Sequence, residues 1–285
     1  MKRIWRTLTS AELKKFEQIN QDKFGTFSPT LLQKTLILIA KKSFFKRGHL
    51  RRLIAYLTYA GRKKPLDIFF RECAYRLHYE RRNHIQDGLL VNPLYNYDDI
   101  EFLLKGSNKN SNFIDIGANI GLYCQPLARN SPKGQVIAID ANPTMIKQLD
   151  FNIKASNLKN IKTIFSAVSN KTGFGSLNIR NDDDAIVALN EKINDGIPIT
   201  TLGKLLDENN IKSIYGLKID VEGHEDRALA PFLLSAEKQQ LPHKIVIEHG
   251  NYKDYPECIK AFNKLNYRLV GRSKNNSFYE LSKLN

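Results

Sequence analysis

A chain of 285 residues with 42% hydrophobic residues has enough apolar side chain to bury one sizeable core with an appended segment, or two small domains at most. Its three cysteines, Cys73, Cys124 and Cys258, are odd in number and far apart, which argues against a disulfide framework or a zinc site and suits a reducing cytoplasm. The formal net charge of +15 is uneven: residues 1–64 hold 16 Lys/Arg against 3 Asp/Glu, a surplus of 13, while residues 65–285 hold 28 against 26.

That contrast divides the chain into a basic helical N-terminal segment, 1–64, and a near-neutral domain, 65–285. Leu31 to Ala40 is apolar but interrupted by Lys34, and is far short of the ~20 residues that span a bilayer. Lys2, Arg3 and Arg6 precede no apolar core of signal-peptide type. Leu31 to Lys64 reads as basic amphipathic helices with Phe44, Phe45, Leu50, Leu53, Ile54 and Leu57 as apolar anchors. Two uses fit: contact with an anionic membrane surface, peripheral and on its inner face, or docking on the domain with lysines in solvent. Residues 65–104 form a punctuated transition ending in a short helix from Asp98 to Leu104.

Phe113-Ile-Asp-Ile-Gly-Ala-Asn-Ile-Gly121 is the densest signal, an apolar strand running into a glycine turn. The spacing Gly117-x-x-x-Gly121 lacks the third glycine of a dinucleotide fingerprint. Asp115 before the turn would repel a pyrophosphate and attract an ammonium. S-adenosylmethionine carries an ammonium and a sulfonium and no phosphate. Gly134 to Asp140 is a second strand closing on an acid 19 positions after Gly121, placed to take two ribose hydroxyls, as NAD enzymes also do.

Further strands are expected at 161–168, 215–220 and 244–248. Helices follow Asn142-Pro143, run through Leu202, Leu205 and Leu206, and run through Ala228, Leu229, Phe232 and Leu233. Asn181-Asp-Asp-Asp184 reads as a solvated turn. Tyr267 to Gly271 and Ser277 to Leu281 form a hairpin. The alternation predicts a parallel α/β sheet covered on both faces. Leu217-Lys-Ile-Asp-Val-Glu-Gly-His-Glu225 lies where the fourth strand ends, so Asp220 and Glu222 face the same crevice as Asp115.

These motifs, with Asp140, Ala167-Val-Ser169, Gly173, Thr201-Leu202 and Ile247-Glu248, resemble the FkbM-type family of S-adenosylmethionine-dependent methyltransferases over roughly residues 113–250. Gly203 departs from an acid often found there, and Asp140-Ala-Asn-Pro143 from a Glu-Pro start. The resemblance implies a class I methyltransferase, Rossmann-like, with a mostly parallel seven-stranded sheet ending in an antiparallel hairpin. It implies S-adenosylmethionine held by Asp115, Gly117, Ala118, Asn119, Gly121, Asp140, Ala141, Ser166 and Ala167, and O-methylation of a hydroxyl on a sugar, glycolipid or related metabolite.

Asp220 or Glu222 is the expected base, with His224 and Glu248 as further candidates. Glu225 and Asp226 read as caps of the next helix. No metal is expected, since the spacing of Asp220, Glu222 and His224 does not demand one. Two alternatives stand beside this reading: a nucleic-acid-binding methyltransferase recruited by the basic segment, which shows no RNA or DNA module, and an NAD-linked oxidoreductase. The acceptor's identity and the oligomeric state are not encoded in any of these features.

Overall fold

The computed structural model describes residues 5–6, 14, 18, 20–42, 48–59, 64–78, 84–180, 183–190, 196–249 and 255–282. Phe44 and Phe45 lie outside the described residues, as do Asn181 and Asp182 of the expected turn. The helices in chain order are α1 (Leu31–Lys42), α2 (Gly48–Tyr59), α3 (His84–Val91), α4 (Tyr97–Leu104), α5 (Cys124–Asn130), α6 (Pro143–Ala155), α7 (Leu202–Glu208), α8 (Glu225–Ser235) and α9 (Pro256–Lys264). The strands are β1 (Trp5–Arg6), β2 (Leu66–Phe70), β3 (Cys73–Leu77), β4 (Phe113–Ile116), β5 (Val136–Asp140), β6 (Ile161–Phe165), β7 (Ala167–Val168), β8 (Gly173–Arg180), β9 (Asp183–Asn190), β10 (Ile197–Thr200), β11 (Gly216–Ile219), β12 (Lys244–Glu248), β13 (Tyr267–Arg272) and β14 (Asn276–Leu281).

Seven strands form the main sheet in the order β13-β14-β12-β11-β4-β5-β6. β6, β5, β4, β11 and β12 are parallel neighbours, and β14 runs antiparallel to both β12 and β13. This is the class I methyltransferase arrangement that the sequence implied. Strand order reverses direction between β4 and β11, and the crevice at such a switch lies beyond the carboxyl ends of the strands.

Strand alternation splits the sheet into two cores. Ile114, Ile116, Ile137, Ile139, Leu217, Ile219, Ile245 and Ile247 face one side and pack with Leu206, Leu229 and Phe262 of α7, α8 and α9. Phe113, Val136, Ala138 and Val246 face the other and pack with Leu103, Leu127 and Leu149 of α4, α5 and α6. Because both faces are covered, the central strands are apolar at most positions, with Asp115 in β4 and Lys218 in β11 as buried exceptions, which is why they read as near-continuous runs. α6 starts as expected: Asn142 accepts from the Thr144 N–H at 3.1 Å and Pro143 occupies the first turn.

Two features depart from the sequence reading. The strand expected over 161–168 breaks at Ser166 into β6 and β7, and β7 joins a second sheet of order β1-β8-β10-β7, with β9 paired to β8. Its β8, β9 and β10 lie in a stretch not read as strands, and its edge strand β1 comes from the basic segment read as helical. Its small core is Ala167, Leu177, Ile197 and Ile199. Asp183 and Asp184 belong to β9 rather than to a turn.

α1 and α2 pack on α3, and their Ile37, Ala40, Ile54, Ala55 and Tyr59 enter the same core as Phe113. The β2–β3 hairpin carries a buried ion pair, Arg76 Nε to Asp67 Oδ1 at 2.8 Å. Arg76 also donates to the carbonyls of Asp22 and Lys23, and Asp67 accepts from the N–H groups of Gly25 and Phe27. Residues 22–27 are thereby tied to the hairpin.

Candidate active site

The turn after β4 is stitched to the end of β5. The N–H groups of Gly117 and Ala118 both donate to the Ile139 carbonyl, at 2.9 and 3.0 Å. Asn119 N–H donates to Asp140 Oδ2 at 2.7 Å, and Asn142 N–H to Asp140 Oδ1 at 2.8 Å. Gly117 has φ +77°, and a Cβ there would come within 2.0 Å of the Asp220 carbonyl oxygen, so both its conformation and its space require glycine. The end of β11 is thus pressed against the turn, and Asp220 N–H completes the join by donating to the Ile116 carbonyl at 3.1 Å.

Above these strand ends lies a cleft of about 1160 Å³, counting its open mouth. Of the residues singled out from the sequence, Gly117, Ala118, Asn119, Asp140, Ala141, Ser166, Ala167, Asp220, Glu222, His224 and Glu248 all line it. Ser166 and Ala167 reach it because the strand breaks there: Ser166 N–H donates to the Asp140 carbonyl and its hydroxyl to the Pro198 carbonyl. Glu222 sits in a left-handed turn, φ +56°, followed by Gly223 at φ +94°. His224 Nε2 lies 3.0 Å from the Ser169 hydroxyl. Neither Glu225 nor Asp226 caps α8 as the sequence suggested: Glu225 accepts from the Val221 N–H in the turn before it, and Asp226 accepts from the Cys258 N–H at the start of α9.

Asp115 and Gly121 are the two that do not reach the cleft wall. Asp115 is fully buried, and its Oδ2 accepts from the Cys124 N–H at 3.0 Å. The expectation that Asp115 meets a ligand ammonium is therefore revised. The positive partner is Lys218, whose Nζ lies 3.6 Å from Asp115 Oδ1 and 3.8 Å from Asp220 Oδ2, and which donates to the Gly117 carbonyl at 2.7 Å. Burial works against the Lys218 charge, but Asp220, Asp115, Asp140 and Glu248 outweigh it and hold its pKa above the ordinary lysine value. Burial raises the pKa of Asp115, with Lys218 opposing.

Lys218, Tyr123, Asn96, Asn142 and Asn276 line the cleft but were not singled out. Lys218 had a signal, a lysine inside the apolar strand Gly216-Leu-Lys-Ile219. Tyr123 had none. Its hydroxyl donates to Asp99 Oδ2 at 2.7 Å and accepts from Asn96 Nδ2, while Asn276 Nδ2 donates to the same Asp99 oxygen. Burial keeps the Asp99 pKa raised, against hydrogen bonds from Ser273, Tyr123 and Asn276 that lower it.

The donor set suits S-adenosylmethionine. Asp140 keeps lone pairs for two ribose hydroxyls after its two backbone bonds, and Ile139, Met145, Val168 and Leu177 give an apolar bed for a flat base. The helix after the glycine turn offers no third glycine for a pyrophosphate.

One family profile matches this chain, and several solved structures are distantly similar to it. Solved structures similar in fold include M. jannaschii TYW2 in complex with AdoMet, with 16% identity, covering 78% of this chain and 89% of that one at TM-score 0.42. A precorrin-6y C5,15-methyltransferase from Geobacter metallireducens GS-15 has 12% identity, covering 67% and 88%, at TM-score 0.43. M. capricolum TrmK in complex with S-adenosyl-homocysteine has 13% identity, covering 65% and 67%, at TM-score 0.41. A comparison with curated proteins finds no match. The sequence profile described as "Methyltransferase FkbM domain" matches residues 115–269, more than half of the chain and nearly all of the cleft-forming strands. With that match and that cleft, the chain belongs to the FkbM methyltransferase family, and S-adenosylmethionine is its cofactor.

Proposed function

We propose that this protein methylates a hydroxyl of a sugar, glycolipid or related metabolite, with Glu222 as base and Asp220 as the group that orients the acceptor. The observation that carries the reading is that Asp220, Glu222 and Glu248, after the ends of β11 and β12, all line the cleft beside the glycine turn. S-adenosylmethionine, when bound, supplies an electrophilic methyl group on a sulfonium. The chain's own part is to hold the hydroxyl in line with that methyl and to take its proton. Asp220 is paired to Lys218 at 3.8 Å, which suits it to a fixed, orienting role. Glu222 would take the proton that the acceptor hydroxyl gives up. A glycolipid acceptor would be met at an anionic membrane surface, which the surplus of 13 positive charges in residues 1–64 suits.

The test is transfer of labelled methyl from S-adenosylmethionine to separate pools of glycans, glycolipids and RNA. Label is expected in a glycan or glycolipid pool, and Glu222→Gln should lower turnover roughly 10²-fold while cofactor affinity holds. Label confined to RNA, or full turnover by Glu222→Gln, would contradict the proposal.

A further inference from the structure

The two helices before the domain each bury one apolar stripe and leave another outside. In α1, Ile37 and Ala40 enter the core, yet Leu31, Leu32, Leu38 and Ile39 are 83%, 71%, 57% and 50% exposed. Those four recur at helical spacing on the opposite side, with exposed Lys34 at its flank. In α2, Ile54, Ala55 and Tyr59 face inward, whereas Leu53, Tyr56 and Leu57 are 49%, 59% and 43% exposed. The sequence offered Ile54 as an apolar anchor for either a membrane or the domain, and the structure places it in the core. Single exposed apolar residues are ordinary on a protein surface, but seven on two packed helices mark a contact face.

We propose that this face of α1 and α2 docks the protein on an anionic lipid bilayer. The charge of the segment chooses the occupant, since 16 Lys/Arg against 3 Asp/Glu in residues 1–64 complement an anionic surface. A nucleic acid would answer the charges but leave seven aliphatic and aromatic side chains in water. An acyl boundary takes both at once. Among the described residues no helix is long and apolar enough to cross a membrane. α3 packs on both helices, and its His84 and Ile85 line the cleft, so docking holds the cleft beside the bilayer. The benefit of that placement rests on the reading of a lipid-linked acceptor, whereas docking itself requires no methyl transfer.

The test is flotation of the full chain with vesicles of phosphatidylcholine alone and of phosphatidylcholine with phosphatidylserine, at low and high salt. A variant carrying Leu38→Gln, Ile39→Gln, Leu53→Gln and Leu57→Gln runs beside it, and sedimentation velocity and circular dichroism are recorded for both. Because the four side chains are exposed, the helical spectrum should be unchanged. The wild-type chain should partition onto anionic vesicles, less so as salt rises, and the variant should lose at least about tenfold of that partition. Equal partition of the two chains, or no flotation with anionic vesicles at low salt, overturns the proposal. So does a wild-type dimer that the variant dissolves into monomers without a change in flotation, because the face would then belong to a second copy.

Discussion

Asp140 links the cleft to pH through one buried carboxyl. Desolvation raises its pKa to about 6 against the pull of the Asn142 and Asn119 N–H groups. An exposed aspartate titrates near ~3.9 in an unfolded chain. Its contribution to the stability of the ligand-free protein is therefore present below ~4 and lost as pH rises through about 6. On the reading that Asp140 holds the ribose, cofactor binding should run the other way, because the ionised carboxylate is the stronger acceptor for its hydroxyls. Affinity for S-adenosylmethionine should increase severalfold between about pH 5 and about pH 7, with its inflection near the Asp140 pKa, and calorimetry on Asp140→Asn should show a flat profile.

Lys218 calls for a different test. Lys218→Met leaves Asp115 charged and buried without its cation and should cost about 3 to 5 kcal/mol in urea unfolding. Adding Asp115→Asn should recover at least half of that loss. A double variant no more stable than the single would show that Lys218 does not serve the pair.

At the scale of elements, the glycine turn and a helix give opposed outcomes for the same substitution. Gly117→Ala meets a positive φ and a carbonyl oxygen 2.0 Å from the new Cβ, so it should cost more than about 2 kcal/mol. Gly203, in α7, has no atom within 4 Å of a built Cβ, and alanine there should stabilise by roughly 0.5 to 1 kcal/mol. Urea melts of the two variants check both signs. The turn was legible in the sequence because a buried parallel strand is mostly apolar, and the abrupt glycine after it stands out. The second sheet was not. β8 opens with Gly173 and includes Gly175, and its exposed Phe174 and neighbours break the alternation that marks a half-buried strand. α1 and α2 were legible as helices, but apolar residues on both sides of each concealed which stripe was core.

The whole molecule is held at its start by Arg76. The guanidinium is fully buried, paired to Asp67 and stacked on Phe27 and Phe151. Arg76→Met should cost about 3 to 5 kcal/mol and open residues 22–27 to proteolysis, read by limited digestion beside the wild type. Nothing in the composition marked that arginine among 44 basic residues, because its burial depends on a long-range partner set. The catalytic reading, in contrast, was carried by two short motifs that the fold brings to one cleft. Isothermal titration of the purified full chain with S-adenosylmethionine and, in parallel, NAD tests that cleft most directly. The account expects saturable binding of S-adenosylmethionine, no binding of NAD, and a loss of about 1.5 to 3 kcal/mol in Asp140→Ala. NAD bound as tightly as S-adenosylmethionine, or an Asp140→Ala variant with unchanged affinity, would contradict it.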